Sequence, residues 1–311
     1  MSSIPAQGGR AGTDARNHAL VGDAGLAAQM RAAVADADAA LAARFDRGED
    51  VDALLHARAV AIDAQVQAAW KHCITGEAPL ALFAVGGYGR GELFPQSDID
   101  LLVLAEAEAQ AAQHDALARF FALLWDAGLP VGHAVRSAAD CTEAAAGDIT
   151  VLTALSEARP LCAGTGAAAT LAEAIDARRV WPPHDYFVAK REEQRTRHAR
   201  FGDTSDNLEP NLKEGPGGLR DVQTLRWMAL RMSGARDLAQ LIGLGQLGED
   251  EYATLERERR ALARLRFGLH LVAGRREERL RFDHQKTLAA RLGHVDDADN
   301  LAVEQMMQGF Y

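Results

Sequence analysis

The chain has no excess of positive charge. Its 311 residues carry 34 Lys and Arg against 44 Asp and Glu, a formal net charge of −10. A chain this acidic lacks the basic footprint that nucleic-acid binding requires, so no nucleic-acid partner is expected. Basic residues do cluster twice, at Lys190, Arg191, Arg195, Arg197 and Arg200 and at Arg257, Arg259, Arg260, Arg264 and Arg266, with acidic residues interleaved in both places. They read as solvated helix faces, with local attraction for phosphate as the other reading. Cysteine is scarce as well. Cys73, Cys141 and Cys162 are far apart and lack metal-ligand spacing. That excludes a disulfide framework and a cysteine zinc site, and fits a reduced, cytoplasmic protein. No apolar run is long enough to span a membrane, and Met1 to Asp23 lacks the apolar core of a signal peptide. Residues 1–23, polar and rich in Gly and Ala, read as a disordered start. What is present, 48% apolar and 25% charged residues, suits a soluble globular protein of one large domain or two ordinary ones.

From about Leu26 to His72 the sequence is Ala-rich. Val51, Leu55, Ile62, Val66 and Trp70 recur at helical spacing, and Asp46 and Gly48 interrupt the pattern. Two amphipathic helices are predicted. After Pro79 the period changes. Leu80 to Val85 and Ile99 to Leu104 read as buried strands, Glu106 to Ala127 as a helix and Val131 to Val135 as a third strand. Ser137 to Asp140 has the form of a capping box opening another helix. Strand, turn, strand, helix, strand implies a small mixed sheet with helices packed on it. After Pro182-Pro183 no strand is predicted. His184 to Phe201 reads as a helix. Gly202 to Gly218 is a polar loop with two prolines and four glycines. From Leu219 onward the pattern is helical, with breaks near Gly243 to Gly248 and Arg281 to Asp283. The expected organisation is α+β: residues 24–170 as the sheet domain with its N-terminal helices, then an all-helical domain over 171–311. The boundary falls between Gly166 and Trp181. The last residues, Gln308 to Tyr311, carry no helix stop, as in a fragment of a longer protein.

The chemistry is concentrated in Ala84 to Leu104. A P-loop starting at Gly86 would need Lys where Glu92 stands, and a dinucleotide fingerprint starting at Gly87 would need Gly there. Asp98 and Asp100 lie two apart at the head of an apolar strand, so both side chains face one side. Leu101 to Leu104 follow, which puts Asp100 where burial is expected. Two such carboxylates repel each other. A hard divalent cation relieves this, since Mg²⁺ takes carboxylate oxygens and keeps positions for phosphate oxygens. Asp98 and Asp100 are therefore the predicted metal ligands and catalytic residues. Gly86-Gly87, ending the preceding strand, permits close approach of backbone to phosphate, and a helix starting there would add its N–H groups. Arg90 adds charge, and Ser97 joins Gly86, Gly87 and Arg90 as a phosphate-binding candidate. This set suits in-line nucleotidyl transfer. The plainer alternative is a turn leading into a strand, with the glycines only ending the strand before it.

Gly86-Gly87 followed by Asp98-Ile-Asp100 resembles the nucleotidyltransferase superfamily that includes polymerase beta. The longer string Gly-Gly-Tyr-Gly-Arg-Gly-Glu-Leu, then Pro95 and Ser97-Asp-Ile-Asp-Leu-Leu-Val, is similar to the bifunctional PII uridylyltransferase/uridylyl-removing enzymes. So is Asn207 to Asp221, with Gln223 and Trp227 following, and so is Val303 to Met307. The resemblance runs from about Ala61 to Tyr311. It implies a polymerase-beta-like domain, Mg²⁺ (with Mn²⁺ as a substitute), and transfer of UMP from UTP to a tyrosine of the PII signal protein. It also implies that uridylyl-removing and glutamine-sensing modules lie beyond this chain. The pairs His114-Asp115 and His184-Asp185 lack the partners of a hydrolase site. One departure stands out. Where many members of the superfamily carry a third carboxylate, this chain reads Val131-Gly-His-Ala-Val-Arg136. His133, a solvent ligand, Asp148 or Glu157 remain the candidates for that role, and a purely structural His133 is the simpler reading. The loop Glu209 to Asp221 has two readings: an anion site, with Gly217-Gly218 at a helix start and Lys213 and Arg220 supplying charge, or a rigid loop held by Glu209, Asn211 and Asp221. The rival functions are another nucleotidyltransferase, such as an adenylyltransferase, and a non-catalytic docking module.

Overall fold

The structure, a computed structural model, describes residues 10–76, 78–204 and 207–310. It opens on a helical hairpin, α1 (Arg10–Asp46) and α2 (Val51–Cys73). Gly48, at φ 83°, makes the turn that most residues resist. Asp50 caps α2 by accepting from Asp52 N at 2.8 Å. The apolar stripe read from the sequence, Val51, Leu55, Ile62, Val66 and Trp70, is buried. The expected disordered start reaches too far. Residues 1–9 lie outside the described residues, but α1 is helical from Arg10. At Asp23 the helix is tied to its neighbours: Asp23 accepts from Arg119 Nε at 2.7 Å and pairs with His72 at 2.7 Å. Both partners are distant in sequence, so local pattern could not reveal the tie.

The sheet follows: β1 (Ala81–Ala84), α3 (Gly86–Gly89), β2 (Ile99–Leu104), α4 (Ala107–Ala112), α5 (His114–Asp126), β3 (Val131–Arg136), α6 (Ala138–Gly147), α7 (Ile149–Ser156), β4 (Arg159–Cys162) and α8 (Ala167–Ala174). Strand order is β3-β2-β1-β4. β2 and β3 are parallel, and both pairings of β1 are antiparallel. The predicted capping box is present: Ser137 Oγ accepts from Asp140 N at 3.1 Å, and Asp140 accepts from Ser137 N at 2.9 Å. Alternation divides the sheet's residues between two cores. Leu82, Ala84, Leu101 and Val103 pack against α2 and α5 around Trp70 and Phe120. Ala81, Phe83, Leu102 and Leu104 pack against α6 and α7 around Cys141, Leu152 and Trp227. β4 was not predicted. It is a four-residue edge strand containing Pro160, which a central strand would exclude.

The remaining elements are helices: α9 (Pro183–Ala199), α10 (Leu219–Ser233), α11 (Ala239–Gly243), α12 (Glu249–Ala273), α13 (Phe282–Arg291) and α14 (Ala302–Gln308). They pack onto the first part of the chain. Trp227 of α10 enters the sheet's core. Phe267 of α12 stacks on Phe45 of α1 with ring centroids 5.3 Å apart. Gly268 lets these helices meet, since a Cβ there would lie 2.9 Å from Phe45 Cζ and 2.6 Å from Leu288 Cδ1. The solvated-face reading of the basic clusters fails for Lys190, Arg197, Arg259 and Arg266, all of which are buried. α14 closes at Gln308, and Phe310 packs partly against the core around Leu269 and Leu288. No helix among the described residues is long and apolar enough to cross a membrane.

Candidate active site

One open cleft, with about 1080 Å³ of empty space, lies between the sheet and the later helices. All eight residues singled out from sequence line it: Gly86, Gly87, Arg90, Ser97, Asp98, Asp100, Lys213 and Arg220.

The floor is the β1–α3 turn. Val85 N donates to Asp100 O at 3.0 Å, so β1 ends level with the carboxylate pair. Gly86 has φ 59°, a conformation that a side chain would strain. The short helix closes with Gly89 N on Val85 O at 3.1 Å and Arg90 N on Gly86 O at 3.0 Å. The expected helix start at Gly86-Gly87 is thus observed, and its first turn lies against the cleft. Asp100 is wedged between glycines. A Cβ on Gly86 would lie 3.6 Å from Asp100 Oδ2, and one on Gly132 would lie 2.9 Å from Asp100 Oδ1. The expected burial of Asp100 is not found. Its strand neighbours are buried, while its side chain opens into the cleft and is exposed. Partial desolvation, and then the charge of Asp98, raise its carboxyl above the usual range. Asp98 is exposed and accepts a close hydrogen bond from Arg276 Nη1.

Arg90 is held from two sides. Its Nε donates to Glu92 at 2.9 Å and its Nη1 to Glu157 at 2.6 Å. Burial works against the charge, but these two carboxylates raise the guanidinium above its ordinary pKa. Its Nη2 stands beside Gly87, 3.5 Å from where a Cβ would be. Glu92 continues the chain of charges to Arg226 at 2.7 Å, Arg226 to Glu256 at 3.1 Å, and Glu256 to Arg259 at 2.7 Å. The phosphate turn is thereby tied to α10 and α12.

The loop from Glu209 to Asp221 is rigid and also reaches the cleft. Asn211 Oδ1 accepts from Lys213 N at 3.1 Å and Glu214 N at 2.7 Å. Asp221 accepts from Gly217 N at 2.8 Å, Gln194 at 2.8 Å and Arg197 at 2.5 Å, and pairs with His198 at 3.0 Å. Glu209 accepts from Phe282 N at 2.9 Å. The backbone half of the anion-site expectation does not hold. Gly218, Leu219 and Arg220 donate their N–H groups to Gly215, Leu212 and Lys213 carbonyls at 2.9, 3.0 and 2.8 Å. The positive charge that this loop brings to the cleft comes from the side chains of Lys213 and Arg220, with Glu214 beside them. Arg220 is engaged by Glu214 and Gln223. Lys213 has Glu214 as an ion-pair partner only at 4.0 Å. Burial, followed by repulsion from Arg266, pushes it down to about 8.

Of the candidates for the third acid, His133 faces away. It pairs with Leu101 in the β2–β3 register, the opposite parity from Asp100, and its ring stacks on Phe121 at 3.7 Å. Burial lowers its pKa. Asp148 caps α7 through Thr150 N at 2.7 Å and is not among the cleft-lining residues. Glu157 lines the cleft but is taken up by Arg90 and by Trp227 Nε1. Among the described residues no group of three or more His, Cys, Asp or Glu stands close enough to hold a metal. Several lining residues were not predicted. Arg266 donates twice to Glu278 at 2.6 Å, and its guanidinium lies 3.9 Å from the Phe94 ring centre. Lys190, 2% exposed, pairs with Glu193 at 2.7 Å and lies over Trp227. The segment leading to Asp98 is clamped as well: Arg58 donates to Phe94 O at 2.9 Å, and His270 accepts from Gln96 N at 3.4 Å. Burial and then Arg266 push His270 down to about 3, so its ring is neutral.

A carboxylate pair beside a glycine turn, on a small sheet with cations facing it, defines the nucleotidyltransferase class, and a family model described as a nucleotidyltransferase domain matches residues 66–146. A second, described as GlnD PII-uridylyltransferase, matches residues 185–311. The chain is 62% identical, over 94% of its length, to the bifunctional uridylyltransferase/uridylyl-removing enzyme of Xanthomonas campestris pv. campestris. It is 59% identical over 94% of its length to that of Xanthomonas oryzae pv. oryzae, and 45% identical over 86% of its length to that of Pseudomonas aeruginosa. The chain is similar to these enzymes over most of its own length. It covers 34% of the two Xanthomonas proteins and 30% of the Pseudomonas one, about a third of their length.

Proposed function

We propose that the chain transfers UMP from UTP to a tyrosine of a PII protein, with Mg²⁺ as cofactor and Mn²⁺ able to replace it. The observation that supports this most is the meeting of Asp98, Asp100, the Gly86-Gly87 turn and Lys213 on one cleft, in a chain so similar to uridylyltransferase/uridylyl-removing enzymes. The donor set fits a divalent cation: two carboxylates at an open cleft, with a glycine at 132 where a Cβ would crowd Asp100. When bound there, Mg²⁺ supplies positive charge for the triphosphate and for the pyrophosphate that leaves. The chain's own residues do the rest. The Gly86-Gly87 backbone lets the phosphates approach the floor. Lys213, cationic below about pH 8, lines the same cleft and adds charge for them. Arg90, engaged on two nitrogens, braces the turn and offers Nη2 beside Gly87. The tyrosine oxygen, giving its proton to solvent, then bonds to the α-phosphorus as the bond to the bridging β-phosphate oxygen breaks and pyrophosphate leaves.

The test is incubation with a PII protein, Mg²⁺ and either labelled UTP or labelled ATP. Label from UTP on a PII tyrosine, lost in Asp98→Asn, is the expected result. Preferential transfer from ATP would make the chain an adenylyltransferase. Binding of PII with no transfer from either nucleotide would make it a docking module.

A further inference from the structure

We propose that Arg276 serves two anions in turn: it neutralises Asp98 until a divalent cation arrives, and then turns to the outer phosphates of the nucleotide. This rests on Asp98 and Asp100 being the metal ligands. Arg276 lies between α12 and α13, just after Gly274, and its side chain is half-exposed. Its Nη1 donates to Asp98, and its other carboxylate neighbour, Glu278, is 3.9 Å from its Nε. Glu278 is already matched by two hydrogen bonds from Arg266 at 2.6 Å each. Asp98 is therefore its principal partner.

The other arginines of the cleft differ. Arg90 is fixed between Glu92 and Glu157, Arg220 by Glu214 and Gln223, and Arg266 by Glu278. Arg276 alone among these arginines has a partner that a bound cation would claim. A divalent cation on Asp98 cancels the attraction and repels the guanidinium. The backbone need not move for the side chain to swing. Leu212 N donates to Glu278 O at 2.8 Å, and Arg279 bridges to Asn211. Freed from Asp98, the guanidinium stays in the cleft with the Gly86-Gly87 turn and Lys213. Its planar fork suits phosphate oxygens.

The prediction is a pair of opposite shifts. In Arg276→Ala and Arg276→Gln, Mn²⁺ without nucleotide should bind about two- to fivefold more tightly, because a competing exposed ion pair is gone. UTP with non-catalytic Ca²⁺ should bind about tenfold more weakly, through loss of a charged hydrogen-bond donor. Free Mn²⁺ is read by electron paramagnetic resonance and UTP by calorimetry. Any result other than this opposite pair, whether both affinities unchanged, both weakened or only one shifted, overturns the proposal. Asp98→Asn and Asp100→Asn separate the two levels of failure. If they leave Mn²⁺ binding intact, the metal-site reading itself fails, and this proposal with it. If they weaken it while the Arg276 variants lack the opposite shifts, the double role of Arg276 alone fails.

Discussion

Gly132→Ala would disturb the carboxylate pair without changing either acid. Gly132 stands opposite Asp100 in the parallel pairing of β2 and β3, and an added Cβ would lie 2.9 Å from Asp100 Oδ1. Real contacts of that kind are longer, so one side must yield. The strand is the stiffer side, because β3 is registered to β2 from Ile99↔Val131 through Leu104↔Arg136. The carboxylate is the end of a flexible side chain and must retreat by about 0.5 Å to reach ordinary contact. Gly86 on its other side carries no Cβ and leaves room for that retreat, since even an added Cβ there would lie 3.6 Å from Oδ2. Pushing a side chain off its rotamer costs about 0.5–1.5 kcal/mol, so the melt should move by only a few degrees. Transfer should suffer far more. Mg²⁺ demands near-ideal octahedral oxygens, and about 1 Å of misplacement costs on the order of 100-fold, so a loss of about 10- to 100-fold is expected. The assay is UMP incorporation into PII beside a thermal melt. Gly147→Ala is the control, since nothing lies within 4 Å of its added Cβ. Full activity with an unchanged melt in Gly132→Ala would refute the placement of Asp100 at the reacting centre. Loss of folding would show that the strand pairing yields first.

Other perturbations follow from the same geometry. Asp98→Asn and Asp100→Asn should abolish UMP incorporation with the fold retained. Since the Asp100 carboxyl is raised, its ionised form costs stability at neutral pH and its protonated form does not, so Asp100→Asn should melt no lower than the parent without metal. Arg90→Ala leaves Glu92 only Arg226 and Glu157 only Trp227 Nε1, and should lower stability by about 1.5–3 kcal/mol as well as activity; an unchanged melt with weakened UTP binding would make its role phosphate contact alone. Lys213, held near 8, loses its charge as pH rises through that value, so KM for UTP should climb above about pH 8. Lys213→Arg, which stays cationic, should abolish that climb, and persistence of the climb would assign it to another group.

The fold was legible where its causes are local. The change from helical spacing to short apolar runs marks β1, β2 and β3, and the Ser137–Asp140 capping box marks the start of α6. β4 escaped because a four-residue edge strand with Pro160 looks like loop, and only its pairing with Leu82 to Ala84 makes it strand. The helix read over Glu106 to Ala127 breaks at Gln113 into α4 and α5, with no glycine or proline at the joint. α1 begins before Asp23, and there the non-local signal is at Asp23 itself, which pairs with Arg119 and His72, both far along the chain.

The candidate site divides along the same line. Asp98, Asp100, Gly86 and Gly87 are connected by strand parity and one tight turn, so the motif carried their geometry within itself. The cations that share the cleft with them come from far along the chain, and two of them belong to the basic clusters that read as solvated faces. Lys190 and Arg266 looked like members of solvated basic faces because acidic residues flank them. The phase of α12 held a contrary signal. Glu256, Arg259, Ala263, Arg266, Phe267 and His270 are all buried, so the charges fall within the apolar stripe rather than opposite it. Buried charge is tolerated only when paired. A helix placing Glu and Arg in phase with Ala and Phe therefore requires partners from elsewhere, and here they are Asp52, Arg226 and Glu278. What such a helix cannot reveal is which surface supplies the partners. That follows only from packing, which sets α12 against α2 and against the loop that carries Lys213, and so brings Arg266 to the cleft and the following Arg276 to Asp98.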